Sequence, residues 1–373
     1  MAVAGGQLSD VALSSGRTRP FRVLSVLGSR PEVIQAAPVS RALQRCVDEI
    51  LVDTGQHYDH AMAAGQISDA GLRQPHYNLA VGSRPDLEQI DVGTRRIAEV
   101  IERERPDAVI VRGDTNATLA GARAAAAAEL PLVHVEAGLR SYRDDMPEER
   151  NRVETDHLSD LLCAPTQSAL DNLHAEGAPG HAEVTGDVLY DMLLATRGDI
   201  GESGERSPYV LATVHRNYNT DSRERLLAVL ECLAAVPYRV VLPVHPRTRD
   251  RLTDWSPKLP SNLELRDPVT YRTMLALERD AAAIVTDSGG VQREAYMWGV
   301  PCITLREETE WVETVMTGWN HLVGADPAAV REAFATPAPR TRPPVFGDGR
   351  AAERIATAVL AYFDAFVEQR VAV

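Results

Sequence analysis

The chain has 373 residues, 44% hydrophobic and 25% charged, and its 53 acidic side chains outnumber 39 basic ones to leave a formal net charge of -14. That length predicts two domains, because single hydrophobic cores stop growing near ~250–300 residues. The acidic balance argues against a general nucleic-acid binder or a protein that docks on anionic membranes, but not against a small anion held by a few arginines and backbone amides.

The first 20 residues (MAVAGGQLSDVALSSGRTRP) lack a basic region followed by an apolar one, so a loose leader is expected rather than a signal peptide. No apolar run approaches the ~20 residues of a membrane span. A cytoplasmic location is the expectation.

FRVLSVLG (21–28) then reads as a strand, and PEVIQAAPVSRALQRC as a helix. EILVDTG (49–55), PDAVIVRGD (106–114) and LPLVHVEAG (130–138) read as further strands, with the Ala-rich helix TLAGARAAAAAEL before the last. LCAP (162–165) and AEVTGD (182–187) supply shorter ones. Continuous apolar strands separated by helices mean a parallel sheet covered on both faces. Residues 21–190 are therefore expected to form one Rossmann-like, doubly wound domain.

Composition shifts across DMLLATRGDIGESGERSP, which marks a linker. Residues 208–350 repeat the cycle with YVLATVH, YRVVLPVHP, LELRDPV, AAAIVTDSGG and VPCITL. AAERIATAVLAYFDAFVEQ (351–369) has apolar residues at helical spacing, so 351–373 is expected to be a closing helix that packs back on the N-terminal domain. The fold class is α/β, with two Rossmann-like domains and an interdomain cleft at the carboxyl ends of both sheets. Cys46, Cys163, Cys232 and Cys302 are dispersed and form no zinc signature.

The polar motifs fall just after strands. In Thr286-Asp287-Ser288-Gly289-Gly290-Val291-Gln292-Arg293-Glu294 a strand ends, glycines turn the chain and a helix begins. Free N–H groups at a helix start hold anions, and Glu294, about one turn in, is placed to accept from ribose hydroxyls. The plain alternative is a Ser288 N-cap with glycines for turn geometry. Gly28-Ser29-Arg30-Pro31-Glu32 is not G-x-G-x-x-G, so the dinucleotide fingerprint fails, while Arg30 could clamp a phosphate.

Asp114, Glu136, Glu148 and Glu149 follow the third and fourth strands. Clustered carboxylates are costly unless they bind a metal or move protons. Metal sites want tighter spacing or adjacent histidines, so general acid and base roles are preferred and no metal is expected. Salt bridges to Arg140, Arg150 or Arg152 are the structural alternative, most of all for Glu149. His215, beside Arg216, and His245 end neighbouring strands, and His57 lies in the first half. No nucleophile elbow, P-loop or zincin motif is present.

The segments GSRPEVIQAAPV, TGQHYDHAM, VRGDTNATLAG, HVEAGLRSYRDDMPEERNR, TGDVLYDML, ATVHRNYNTD, PVHPRT, VTDSGGVQREA and LREETEWVETVMTGWNHLVG together resemble the UDP-N-acetylglucosamine 2-epimerases of glycosyltransferase-B architecture. The likeness runs from about residue 21 to 365 and is greatest to the non-hydrolysing branch. It implies that Arg30, Gln35, His215, Ser288, Gly289, Gly290 and Glu294 hold the UDP-sugar. It also implies that Asp114, Glu136, Glu148 and His215 are catalytic. Gln56, His57, Arg216 and His245 match segments that line a second, activating UDP-sugar site in relatives. A homodimer without NAD or metal is implied as well.

The chemistry points the same way. C2 of the sugar is not next to a carbonyl, so its proton is very weakly acidic. Expelling UDP from C1 acidifies it, a carboxylate removes it, and a 2-acetamidoglucal results. Returning a proton to the other face and re-adding UDP completes the inversion. This needs a diphosphate cradle, an acid and a base on different faces, and closure against water.

Two departures from the family pattern stand out. Gln35 occupies a position where the family usually has lysine, which predicts weaker phosphate stabilisation or a shifted substrate. Tyr218 precedes Asn219 where an acidic residue is usual, which weighs against allosteric activation. The alternatives are a hydrolysing 2-epimerase that releases free ManNAc and UDP, the same chemistry on a modified sugar such as a UDP-diacetamido-uronic acid, a retaining glycosyltransferase, and a non-enzymatic UDP-sugar sensor.

Overall fold

The structure is a computed structural model that describes residues 20–44, 46–56, 67–143 and 145–371, with side chains of the last helix described as far as Phe363. The leader up to residue 19 and His57 lie outside the described residues. The chain forms two compact units, one reaching to Met192 and resuming at Val345, the other Leu193–Pro344.

The first unit holds a seven-stranded parallel sheet. Its strands are β1 (Phe21–Leu27), β2 (Val47–Asp53), β3 (Tyr77–Asn78), β4 (Ala108–Arg112), β5 (Leu132–Val135), β6 (Leu161–Ala164) and β7 (His181–Val184). They lie in the order β3-β2-β1-β4-β5-β6-β7. β1 pairs with β2 from Phe21↔Val47 to Leu27↔Asp53, and with β4 from Val23↔Ala108 to Ser25↔Ile110. The chain winds outward to β3 and then returns beside β1, so the strand order reverses between β1 and β4. Ligand crevices in such sheets open at this reversal.

Every residue of β4, β5 and β6 is buried, which is why these strands read as unbroken apolar runs. Leu24, Val26, Val109 and Val111 pack on one face with Ile97, Val100 and Ala120. Val23, Ile110 and Val133 pack on the other with Ile355, Val359 and Phe363 of the helix Ala351–Val371. Phe21 stacks on Phe363 at 4.8 Å between ring centroids. Asp191 accepts the Ala351 and Ala352 N–H groups at 3.0 and 2.7 Å and so anchors the start of that helix.

The second unit repeats the pattern with six parallel strands, β8 (Tyr209–Thr213), β9 (Arg239–Pro243), β10 (Leu263–Arg266), β11 (Ala283–Thr286), β12 (Cys302–Thr304) and β13 (Asn320–Leu322). Their order is β10-β9-β8-β11-β12-β13, so the reversal here lies between β8 and β11. The fold is α/β with two doubly wound parallel sheets. Among the described residues, no helix is long and apolar enough to cross a membrane.

Candidate active site

In the first unit, the turns after β1, β4 and β5 carry the polar residues. Arg30 opens the helix Arg30–Leu43 and is half-buried. Glu32, one turn in, is only 2% exposed. One of its oxygens accepts the Gly28 and Ser29 N–H groups at 2.7 and 2.6 Å. The other accepts the hydroxyls of Thr115 and Thr118 at 2.7 and 2.9 Å. Glu32 therefore ties the β1 turn to the helix Asn116–Ala127 across the strand reversal. Burial raises its pKa, although all four donors act to lower it.

Glu136 directly follows β5 and takes φ +71°, a left-handed conformation that non-glycine residues rarely adopt. Its Oε2 accepts from Gln35 Nε2 at 2.6 Å. Gln35 is itself buried, and both side chains lie beside the β4 turn, each within 3.8 Å of where a Cβ on Gly113 would stand. Position 35 thus bears directly on a carboxylate 101 residues away. Asp114, next to Gly113, pairs with Arg152, and its carbonyl accepts from Asn151 Nδ2 at 3.0 Å.

Glu149 behaves differently from its neighbour. It is 4% exposed and accepts from the Ser141 N–H and hydroxyl, the Tyr142 N–H and Arg152 Nη1. All these bonds hold the 141–149 loop. Glu148 lies in the first turn of the helix Pro147–Leu158 and is only half-buried. Gln56, just past β2, is buried, and its carbonyl accepts from Ser83 Oγ at 3.4 Å.

In the second unit the organising group is Asp287, which has no solvent exposure. It accepts from the backbone N–H of His215 at 3.0 Å, from that of Arg216 at 3.0 Å and from Asn219 Nδ2 at 3.1 Å. This locks the loop after β8 against the end of β11. His215 Nδ1 lies 3.4 Å from Asp287 Oδ1. Burial lowers the His215 pKa with help from Arg216 and Arg247, against the opposing pull of Asp287. His245 caps the helix Pro246–Trp255 through Nδ1, and its ring centroid lies 5.4 Å from that of His215.

Asp287→Ala would strand two backbone N–H groups and remove one of the two partners of the Asn219 amide, which keeps its 3.1 Å bond to the Leu305 carbonyl. The expected loss of stability is about 2–4 kcal/mol, from ~1–3 kcal/mol per buried donor left unpaired and partial relief by water. Denaturant unfolding measures it, and a loss under about 1 kcal/mol would show that this hub contributes little.

Ser288 caps the helix Gly289–Trp298 through a Val291 N–H to Oγ bond of 3.4 Å. Gly289 touches the next loop closely: a Cβ there would lie 2.5 Å from Glu310 Oε1 and 2.9 Å from Trp311 Nε1. A Cβ on Gly290 would meet only Ser288 Oγ at 3.8 Å, so the space before that residue is open. Glu294 is buried, and Tyr271 donates its hydroxyl to Oε1 at 2.7 Å. The helix thus begins at a Ser288 cap and two glycines, with the buried Glu294 carboxylate about one turn in; free amides at a helix start are the kind of site that can hold an anion.

A sequence model of the family described as UDP-N-acetylglucosamine 2-epimerase matches residues 41–360. The chain belongs to this family. A Methanococcus maripaludis protein called a UDP-N-acetylglucosamine 2-epimerase homolog is 42% identical over 350 residues, covering 90% of this chain and 98% of the relative. The UDP-2,3-diacetamido-2,3-dideoxy-D-glucuronate 2-epimerase of Pseudomonas aeruginosa is 40% identical over 351 residues, with 90% and 98% coverage. The crystal structure of Methanocaldococcus jannaschii UDP-GlcNAc 2-epimerase in complex with UDP-GlcNAc and UDP superposes with a TM-score of 0.84. It is 37% identical and covers 92% of this chain and 100% of that one.

Within this 2-epimerase family member, the structure joins some residues singled out in the sequence and leaves others apart. Gln35 meets Glu136, and His215 and Arg216 meet at Asp287. Arg152 pairs with Glu149 and Asp114, as the structural alternative expected, whereas Glu32, Asp287 and the His134–Asp156 pair were not singled out for a role. Glu32 and His134 stood in the quoted motifs, but their partners lie 83 and 22 residues away. The one available signal was a charged or imidazole side chain inside an otherwise apolar stretch.

Proposed function

We propose that this protein interconverts UDP-GlcNAc and UDP-ManNAc by inverting C2, without net hydrolysis. The observation that carries this reading is the clustering of Asp114 and Glu136 at the ends of adjacent strands β4 and β5, with Glu148 opening the helix Pro147–Leu158. Ser288, Gly289, Gly290 and Glu294 then serve the UDP, with Arg30 and His215 as further ligands of the UDP-sugar. The C1–O bond to UDP breaks, and its electron pair leaves with the diphosphate. A carboxylate takes the C2 proton and a C1=C2 double bond forms. A proton then returns to C2 on the opposite face, and UDP oxygen re-adds at C1. Developing negative charge on the leaving diphosphate is met by amides already oriented at the helix start, which is where preorganised donors lower a barrier. A homodimer and a cytoplasmic location accompany this reading.

Incubation with UDP-GlcNAc in deuterated water, followed by NMR, tests it. Deuterium at C2 together with UDP-ManNAc is the expected result. Release of free ManNAc with UDP would assign the hydrolysing outcome instead.

A second reading, 2-epimerisation of a UDP-diacetamido-uronic acid, is favoured by the 40% identity to the Pseudomonas aeruginosa enzyme and by Gln35. The same assay with that sugar decides between the two. Gln35→Lys, which sets an ammonium where an amide now donates to Glu136, is expected to raise UDP-GlcNAc turnover or affinity about fivefold, from the ~1 kcal/mol that a full positive charge on the donor adds. No change in rate or affinity would remove position 35 from the argument.

A further inference from the structure

One buried titratable cluster of the first unit has no part in the chemistry above. His134, in β5, is fully buried. Its Nε2 lies 2.8 Å from the carbonyl oxygen of Gly113, and its Nδ1 lies 2.7 Å from Asp156 Oδ1. Asp156, also fully buried, accepts at Oδ2 from the Gly138 N–H at 3.1 Å and from Arg140 Nη1 at 2.7 Å. Arg140 is held in turn by both carboxylate oxygens of Glu176, at 2.8 and 2.6 Å.

The two ends of this chain of bonds are informative. Gly113 immediately precedes Asp114, and Gly138 lies two residues after Glu136. Both glycines and Glu136 have left-handed backbones, with φ of +67°, +82° and +71°. Glycine takes such a backbone freely, but at Glu136 it persists only where the surroundings hold it. Gly138 admits no side chain, because a Cβ there would sit 2.2 Å from the Ala169 carbonyl oxygen.

The donor count assigns the hydrogens. A carbonyl oxygen can only accept, so Nε2 must carry a hydrogen to bond Gly113. Burial pushes the Asp156 carboxyl up, but His134 and Arg140 outweigh it and hold it below the ordinary value. The Arg140 guanidinium, which is always charged, sits 2.7 Å from Oδ2 and by itself favours the ionised carboxylate, whose Oδ1 then accepts as well. Nδ1 must then carry a hydrogen too. Asp156 is the anion that compensates the ring, while Arg140, a like charge, is itself balanced by Glu176.

We propose that His134 is a positioning residue that donates from both ring nitrogens and clamps the Asp114 and Glu136 turns to one another. The proposal rests on the reading of those two carboxylates as the proton-transfer groups. Proton transfer needs its partners placed within hydrogen-bond reach of C2 on opposite faces, and an error near 1 Å costs about 10²-fold in rate.

The test has two arms on the full-length chain. Histidine-selective 15N labelling at pH 7.5 should show one ring with a directly bonded proton on each nitrogen, a signal that disappears in His134→Gln. A ring protonated on a single nitrogen would overturn the clamp. This arm needs no turnover, so it stands even if UDP-GlcNAc is not the substrate, and it needs no folded variant to read the wild-type ring. In the second arm, folded His134→Gln should lose about 10²-fold in kcat for C2 exchange. Its KM and UDP affinity should stay within about threefold. Unchanged kcat in a folded variant, or loss of UDP affinity in step with kcat, would overturn the positioning role.

Discussion

Glu136→Gln and Asp114→Asn are each expected to lower the rate of C2 hydrogen exchange by about 10²–10⁴-fold, the range a positioned general acid or base supplies. Both substitutions keep size and shape, so the effect isolates the carboxylate. At position 136 the left-handed backbone is unchanged by an amide, although two amides would then face each other where Gln35 now donates to Glu136 at 2.6 Å. At position 114 the amide removes the charge paired with Arg152, which keeps its 2.6 Å bond to Glu149. The Arg152 side chain is only 3% exposed, so one anchor must suffice for it in a folded variant. The residues proposed to hold UDP, Ser288–Glu294, belong to the other unit, so calorimetric UDP affinity should stay within about threefold. Exchange retained within threefold in either variant would remove that carboxylate from the chemistry.

Gly289→Ala is expected to weaken UDP binding about tenfold or more and to destabilise the second unit by about 1–3 kcal/mol, the cost of overpacking a filled site. The new methyl would meet two atoms that cannot easily retreat. Glu310 is buried and lies 2.7 Å from Arg306, itself fully buried. Trp311 is 2% exposed, with the Arg293 guanidinium 3.9 Å from its ring centroid. Relief must therefore come from the Ser288–Gly289 backbone, whose amides are the proposed cradle. Gly290→Ala is the control. Its methyl enters open space, so stability should change by less than about 0.5 kcal/mol while UDP affinity still falls. Thermal unfolding and calorimetry with UDP read both variants. A Gly289→Ala protein with unaltered midpoint and affinity would show that this turn neither packs tightly nor holds the nucleotide.

Much of the fold was legible because its signals are local. Strands buried on both faces are written as apolar runs that end on a polar residue, as in AVIVR at 108–112 and AIVT at 283–286, and their element boundaries follow from the glycine and polar residues at their ends. Strand-end placement also made Asp114, Glu136, His215 and Ser288 visible as candidates, since those are the positions where a doubly wound sheet meets its ligand. β3 and β13 escaped notice because two or three residues at a sheet edge carry no periodicity.

The pairings were not legible, and the reason is topological. Strand order decides which turns become neighbours, and it brings β4 back beside β1 only after the chain has passed through β2 and β3. That return places Glu32 under Thr115 and Gln35 against Glu136. A charge seen in sequence is the same symbol whether it ends in solvent or in a buried bond. Glu148 and Glu149 show this within two residues, one half-buried at a helix start and the other enclosed by the Ser141–Tyr142 backbone and Arg152. By itself, then, the sequence determined the two parallel sheets, the polar turns at their strand ends and, through its ordered motifs, the family. Only the tertiary structure decided which carboxylates are enclosed in the frame, as Glu32, Glu149 and Asp156 are, and which stay partly exposed, as Asp114, Glu136 and Glu148 do, because hydrogen-bond partners are chosen by distances that close across tens of residues.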